Sequence, residues 1–187
     1  IVQLLTERHG RHAGLVRGGA SSRARGLYQP GNLLAARWRA RLSEHLGNLT
    51  CEMIAGSAAA LLDNGGKLAA LSSACALAEA ALAERESHAD VFESLTVLIA
   101  ALAEPDWAAA YVRFELSLLA SLGFGLDLAR CAATGVNDGL AFVSPKTGRA
   151  VSLSAGAAWR EKLLALPPFL LADTNPAPGD IAQGLAL

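Results

Sequence analysis

The chain has 187 residues, 52% of them hydrophobic and 18% charged, which is enough apolar surface for one or two packed domains and too much for a disordered chain. Its longest charge-free stretches, such as Leu68 to Ala78 and Leu163 to Ala172, run to 10 or 11 residues, short of the ~18 a spanning helix needs, so no membrane partner is expected. The formal net charge of −1 conceals a sorting: through His45 there are eight arginines against Glu7 and Glu44, a net of +6, and the remainder carries eight basic against 15 acidic residues, a net of −7. A basic, Arg-rich segment on an acidic body suits a nucleic-acid-binding module with a second domain, and suits equally a solubilising surface.

Cys51, Cys75 and Cys131 are odd in number and widely spaced, so they give neither a disulfide framework nor a Cys-x-x-Cys half-site, and a reducing, cytoplasmic setting is expected. Ile1 opens inside an apolar run without methionine or a basic leader. No signal peptide is expected, and the chain is read as a fragment of a longer one.

Ile1 to Leu5, closed by Thr-Glu-Arg-His-Gly, and the run Ala13, Leu15, Val16 before Gly18-Gly19 predict two strands joined by a turn. Residues 18–26 carry Gly, Ser and Arg without apolar periodicity and predict a flexible basic loop. From Leu34 alternation is strict, with Ala36, Trp38, Ala40 and Leu42 on one face and Arg37, Arg39 and Arg41 on the other. A second alternation sets Leu49, Cys51 and Met53 against Thr50, Glu52 and Ile54. Four short strands in this span suggest a small antiparallel barrel.

After Gly56 the composition turns to Ala and Leu, and the spacing becomes helical. Leu68, Leu71, Cys75, Leu77 and Leu82 mark one helix after the Asp63-Asn64-Gly65-Gly66 break. Residues 88–103 form a second, with Val91, Phe92, Leu95, Leu98, Ile99 and Leu102 in phase, ended by Pro105. Residues 107–122 form a third, with Tyr111, Phe114, Leu118, Leu119 and Leu122 in phase and Gly123 at the capping position. The three helices predict a bundle. Residues 131–153 read as a loop-rich hairpin insertion, and the tail from Ala172 is rich in Pro and Gly.

The segment Arg37-Trp38-Arg39-Ala40-Arg41 carries the most informative chemistry. Alternate residues on a strand lie ~6.6 Å apart, so three guanidiniums in a row could follow a sugar-phosphate backbone. The competing reading pairs them with Glu44 and Glu52 on a solvated face. Trp38 faces the other way, toward a core. The loop from Arg17 through Arg23 to Arg25 combines glycines, hydroxyls and cations suited to phosphate, but it lacks the Lys-Ser/Thr ending of a nucleotide-hydrolysing loop, and Asn64-Gly-Gly-Lys67 is too short to be one. There is no Gly-x-Ser-x-Gly elbow and no His-Glu-x-x-His, and His9, His12, His45 and His88 have no ligand at metal spacing. His9 and His12 are read as solvated, and Cys51 and Cys75 as core thiols. No catalytic constellation is present, so neither an enzyme nor a cofactor is expected.

Several phrases carry a resemblance. Leu4-Leu-Thr-Glu-Arg-His-Gly-Arg-His12, then Gly18 with its basic loop and Leu27-Tyr-Gln-Pro-Gly31, resembles the N-terminal domain of the RecO family of bacterial DNA repair and recombination mediators. Arg113-Phe-Glu-Leu-Ser-Leu-Leu-Ala-Ser-Leu-Gly-Phe124, followed by Cys131 and Phe142-Val-Ser-Pro-Lys-Thr-Gly148, is similar to its helical C-terminal domain. The resemblance covers residues 1 to 171. It implies an oligonucleotide-binding (OB) barrel, binding of single- and double-stranded DNA, strand annealing, and loading of the recombinase RecA together with RecR. It also implies docking of the C-terminal tail of single-stranded DNA-binding protein. Relatives with four cysteines in the insertion bind zinc; here Cys131 stands alone with Thr134 in the place of a second ligand, so no metal is expected and Cys131 is read as dispensable.

The expectation is thus an α+β chain: a partial OB-fold over residues 1–55, lacking its first strand, and a helical bundle domain over 56–187 with a degenerate zinc-finger-like insertion at 131–153. Its DNA contacts are Arg11, Arg17, Arg23, Arg25, Arg37, Arg39 and Arg41. The tail would dock at an apolar groove with a cation at its rim; Arg85 and Arg113 are the only cations between residues 68 and 125, which selects Arg113 with Phe114 and Trp107. The competing reading of Arg113 is an ion pair with Glu115 or Glu93. Location would be cytoplasmic, on the nucleoid during repair. The arginine row permits an RNA-binding or ribosome-associated barrel equally well.

Overall fold

Alternation and turn chemistry build the first unit, Ile1–Pro105, in a computed structural model that describes every residue except Ala20, Ser43, Leu62 and Asp173 and the side chains of Arg23, Ala58 and Ala60. Strands β1 (Val2–Thr6) and β2 (Gly10–Gly14) pair antiparallel with Leu4 opposite His12. The turn between them is closed by Thr6, whose hydroxyl donates to the Gly10 carbonyl at 2.9 Å and accepts the His9 N–H at 3.1 Å. Gly10 sits at φ +63°, and a Cβ there would run into the Glu86 carbonyl, so only glycine fits.

The expected flexible loop is partly helical. Ser21 caps α1 (Ser22–Leu27), its hydroxyl accepting the Ala24 N–H at 3.2 Å, so one hydroxyl read as a phosphate ligand closes a helical turn. Six residues are too few for apolar periodicity to register.

Strands β3 (Leu33–Arg39) and β4 (Asn48–Ala55) form the second antiparallel ribbon, with Arg37 opposite Thr50, Trp38 opposite Leu49 and Arg39 opposite Asn48. β3 stops at Arg39, so Arg41 lies on the following bend and the expected row of three strand arginines is a row of two. The cause is the turn, which folds back over the indole: Trp38 Nε1 donates to the Leu46 carbonyl at 2.9 Å, and Gly47, at φ +66°, sits where any Cβ would strike the ring. A parallel bridge ties the ribbons, Leu15 N–H donating to Gly47 and Leu49 N–H to Leu15, both at 2.9 Å. The sheets remain two-stranded, and none closes into a barrel among the described residues.

Asn64 caps α2 (Gly65–Ala81) by accepting the Lys67 N–H at 3.1 Å, so the helix begins at the predicted break. Its buried stripe is Ala70, Leu71, Ala74 and Ala78, continued by Leu82; of the predicted residues Leu71 and Leu82 are buried, whereas Leu77 is 37% exposed and alanines fill the rest of the stripe. Gly31, at φ +89°, rests on the Leu71 methyls. In α3 (Ala89–Ala101) the buried residues Val91, Leu95 and Leu98, followed by Leu102, keep the predicted phase.

The second unit, Asp106–Leu187, opens with α4 (Trp107–Leu119). A wider last turn, Ala120–Phe124, ends where Gly123 takes φ +87°, the predicted stop. The predicted hairpin insertion is β5 (Leu140–Val143) with β6 (Ala150–Ser152), and β5 also pairs with β7 (Leu164–Ala165). Between them lie α5 (Leu153–Gly156) and a 3₁₀ stretch, Ala157–Lys162. Ala109, Val112 and Phe169 form one core cluster, and Val143, Ala150 and Leu166 another. Within the Pro/Gly-rich tail, α6 (Asp180–Leu185) packs Gly184 against Val112 and Phe169. The helices expected to form one bundle are divided, α2 and α3 in the first unit and α4 in the second.

Candidate nucleic-acid interface

Strand pleating turns Arg37 and Arg39 outward together, and their partners on β4 complete the surface. Ala35, Ala36, Arg37, Arg39, Asn48, Thr50 and Glu52 line a shallow hollow of about 290 Å³. Both arginines are exposed, as is Arg41 beyond the strand end, and none of the three forms an ion pair among the described residues. The pairing with Glu44 or Glu52 that would have made them a solvated face is absent there. Asn48 and Thr50 add hydrogen-bonding groups that suit phosphate and sugar.

A larger hollow of about 810 Å³ lies on the same ribbon, lined by residues of the β2–α1 connection, α1 and β4, with Arg17 at its rim and Tyr28, Cys51 and Met53 among its walls. Burial pushes the Cys51 thiol and the Tyr28 hydroxyl up from their ordinary pKa values, so both stay uncharged at neutral pH. Glu52 lines both hollows and is the acid among these cations. Arg25 is exposed in the last turn of α1, and the side chain of Arg23 lies outside the described residues.

Arg11 is placed differently. Its Nε donates to the Leu82 carbonyl at 3.1 Å and its own carbonyl accepts the Arg85 N–H at 2.8 Å, so it ties β2 to the end of α2. Behind β3, His12 meets Trp38 edge-on with centroids 4.8 Å apart, and the Arg85 guanidinium stands 5.5 Å from the same indole. Both His12 ring nitrogens are buried without a hydrogen bond among the described residues, so this is not the solvated strand residue expected. Burial, then the nearby Arg85, holds its pKa below 6.5. Trp38 itself is half-buried.

In the second unit the three residues expected to receive a partner tail do not share a surface. Phe114 is fully buried, Trp107 is half-buried, and Arg113 Nη2 donates to the Phe169 carbonyl at 2.8 Å with its guanidinium 5.6 Å from the Phe169 ring. Cys131 is also in the core, 1% exposed. Its sulfur accepts the Ser152 N–H at 3.2 Å and lies 3.5 Å from the Ser152 hydroxyl, so it is not the dispensable residue expected. Hydrogen bonds from Ser152 and Thr134 pull its pKa down to about 6. No three His, Cys, Asp or Glu side chains gather as a metal site among the described residues, and no helix there is long and apolar enough to cross a membrane.

Sequence reasoning missed Asn48, Tyr28 and the Arg11 and Arg85 contacts. The register that places Asn48 opposite Arg39 follows once the hairpin is assumed; the contacts of Arg11 and Arg85, some 70 residues apart, leave no local signal.

Two antiparallel ribbons, one with exposed arginines on its outer face, together with helices and a second, three-stranded sheet define a mixed helix-and-strand protein. The comparisons narrow it. The model of the recombination protein O N terminal matches residues 1–57 and that of the recombination protein O C terminal matches residues 62–178. The DNA repair protein RecO of Rhodospirillum centenum is 56% identical over 186 residues, covering 98% of this chain and 74% of that protein. Those of Rhodospirillum rubrum, at 54% identity over 91% of this chain and 70% of the relative, and Phenylobacterium zucineum, at 52% over 100% and 78%, agree. The chain belongs to the RecO family of DNA repair proteins.

Proposed function

We propose that this chain is a non-enzymatic mediator of DNA repair and recombination that binds single- and double-stranded DNA, anneals complementary strands and, with RecR, assists RecA loading. The observation that carries the DNA contact is the pair Arg37 and Arg39, exposed side by side on β3 without an ion pair among the described residues, beside Asn48 and Thr50. Arg17, Arg25 and Arg41 extend the cationic surface, and the two ribbons serve as part of an OB barrel. Annealing needs no active site. It requires only that two strands be neutralised long enough for their bases to meet, which mobile cations on an open face can do.

RecR and the tail of single-stranded DNA-binding protein are the protein partners of this reading, and the bacterial nucleoid during repair is its place. For about four to six neutralised phosphates, the log–log salt slope of single-stranded DNA binding is expected near −3 to −4. Replacing Arg37 and Arg39 together with alanine should flatten it by about 1.4, at ~0.7 per phosphate, and slow annealing in parallel. A folded double variant with the affinity and slope of the unaltered chain would overturn the reading. Tighter binding to RNA than to DNA of the same sequence would move it to the RNA-binding class.

A further inference from the structure

The 3₁₀ stretch Ala157–Lys162 presents an aromatic side chain that the core does not use. Gly156, just before it, is buried, and a Cβ there would strike the Phe142 ring and crowd Leu163, so the backbone is pressed against the hairpin at that point. Trp159 is 59% exposed. In a 3₁₀ helix residues three apart eclipse one another, and Lys162 accordingly sets its ammonium 5.4 Å from the Trp159 ring centroid. Arg160 is exposed between them. Neither Arg160 nor Lys162 forms an ion pair among the described residues, and Glu161 is the single acid in the stretch.

The exposed indole lies beside two cations that make no ion pair among the described residues, a combination of apolar ring and positive charge that suits an anionic partner with a flat apolar part. An acidic peptide would need a groove to receive its apolar end, whereas Trp159, Arg160 and Lys162 are all exposed on one short helix. An unpaired nucleobase has the complementary form: a flat apolar face for the indole and a phosphate on each side for the cations. We propose that Trp159, flanked by Arg160 and Lys162, is a stacking platform for an unpaired base of single-stranded nucleic acid, a second contact site on the Asp106–Leu187 unit. The inference rests on the nucleic-acid reading of the chain and assigns the second unit a preference for single strands. Arg37 and Arg39, touching only phosphates, would not supply that preference.

The test is binding of labelled oligothymidine and of a duplex of equal length by the full chain, at several salt concentrations. Trp159→Ala should weaken oligothymidine binding roughly tenfold, the scale of one base–aromatic stack, leaving the salt slope and duplex binding unchanged. Trp159→Phe should keep most of the affinity, and its conserved ring guards against a folding artefact. Arg160→Ala with Lys162→Ala should instead lower the slope by about 1.4. If Trp159→Ala binds oligothymidine as the unaltered chain does while the Arg37 and Arg39 variant is weakened, the platform is refuted and the function stands. If the unaltered chain binds neither nucleic acid, the function fails first. Equal losses for single strand and duplex would refute stacking. So would Trp159-dependent capture of an acidic peptide ending in phenylalanine by a chain whose oligothymidine binding ignores Trp159.

Discussion

The outer face of the β3–β4 ribbon and the packing of α4 on Phe169 both contain arginine beside aromatic residues, and they use it in opposite ways. On the ribbon, pleating sends Trp38 to one side and Arg37 and Arg39 to the other, so the cations face solvent and make no ion pair among the described residues. On α4, Arg113 bends over Phe169 and donates to its carbonyl, while Phe114 enters the core. The difference teaches that an arginine next to an aromatic residue in sequence is not in itself a binding site. What decides is whether a backbone carbonyl lacking a partner lies within its reach.

This contrast can be broken most forcefully at Phe114. Phe114→Ala should destabilise the second unit by about 3–5 kcal/mol, read as a large fall in melting temperature. A variant that melts normally but loses a partner peptide would restore the docking role that the sequence suggested. Next in size, Arg113→Ala should cost about 1–3 kcal/mol because the Phe169 carbonyl loses its donor. Affinity for single-stranded DNA should stay constant in the same variant, and a matching loss of both would erase the distinction between the two regions.

Cys131 sharpens the comparison by adding pH. Its pKa of about 6 lies below the unfolded value of 9.0, so between these values the unfolded chain holds a proton that the folded chain has released. The thiolate's contribution is complete above pH 9, fades as pH falls toward 6, and should be missing from the melting profile of Cys131→Ala. His12 works in a lower window. Its folded pKa lies below 6.5, so the contribution of the neutral ring is complete above pH 6.5 and is lost as pH falls below it. His12→Phe should melt with a flatter acid limb, and an unchanged limb would show that the ring is not held neutral beside Arg85. The smallest expected effect is that of a chelator, which should leave the melting temperature where it is; a fall accompanied by release of stoichiometric zinc would contradict the metal-free reading of the Cys131 hairpin.

Local structure was legible in the sequence where a pattern repeats over most of an element, and not in the six-residue α1, where none can. Alternation from Leu34 to Arg39 specified a strand with its arginines on one side, the Val91 to Leu102 phase specified α3, and Gly123 specified where the helix after Trp107 stops. These features depend on neighbours a few residues apart, and pleat and helical pitch translate spacing directly into a face. Its phrases from Leu4 and from Arg113 also sufficed to point to the family. Only the tertiary structure decided which side chains remain available. Arg11 and Arg113 read like the other arginines until the carbonyls of Leu82 and Phe169, from elements 71 and 56 residues away, come within hydrogen-bonding distance. Likewise Leu71 in α2 and Leu82 at its end are buried as their spacing indicates, but Leu77 is 37% exposed, and Ala70, Ala74 and Ala78 complete the buried stripe because of what packs on that face. Hydrogen bonding and close packing act over a few ångströms of space irrespective of distance along the chain, so neither can be read from local spacing.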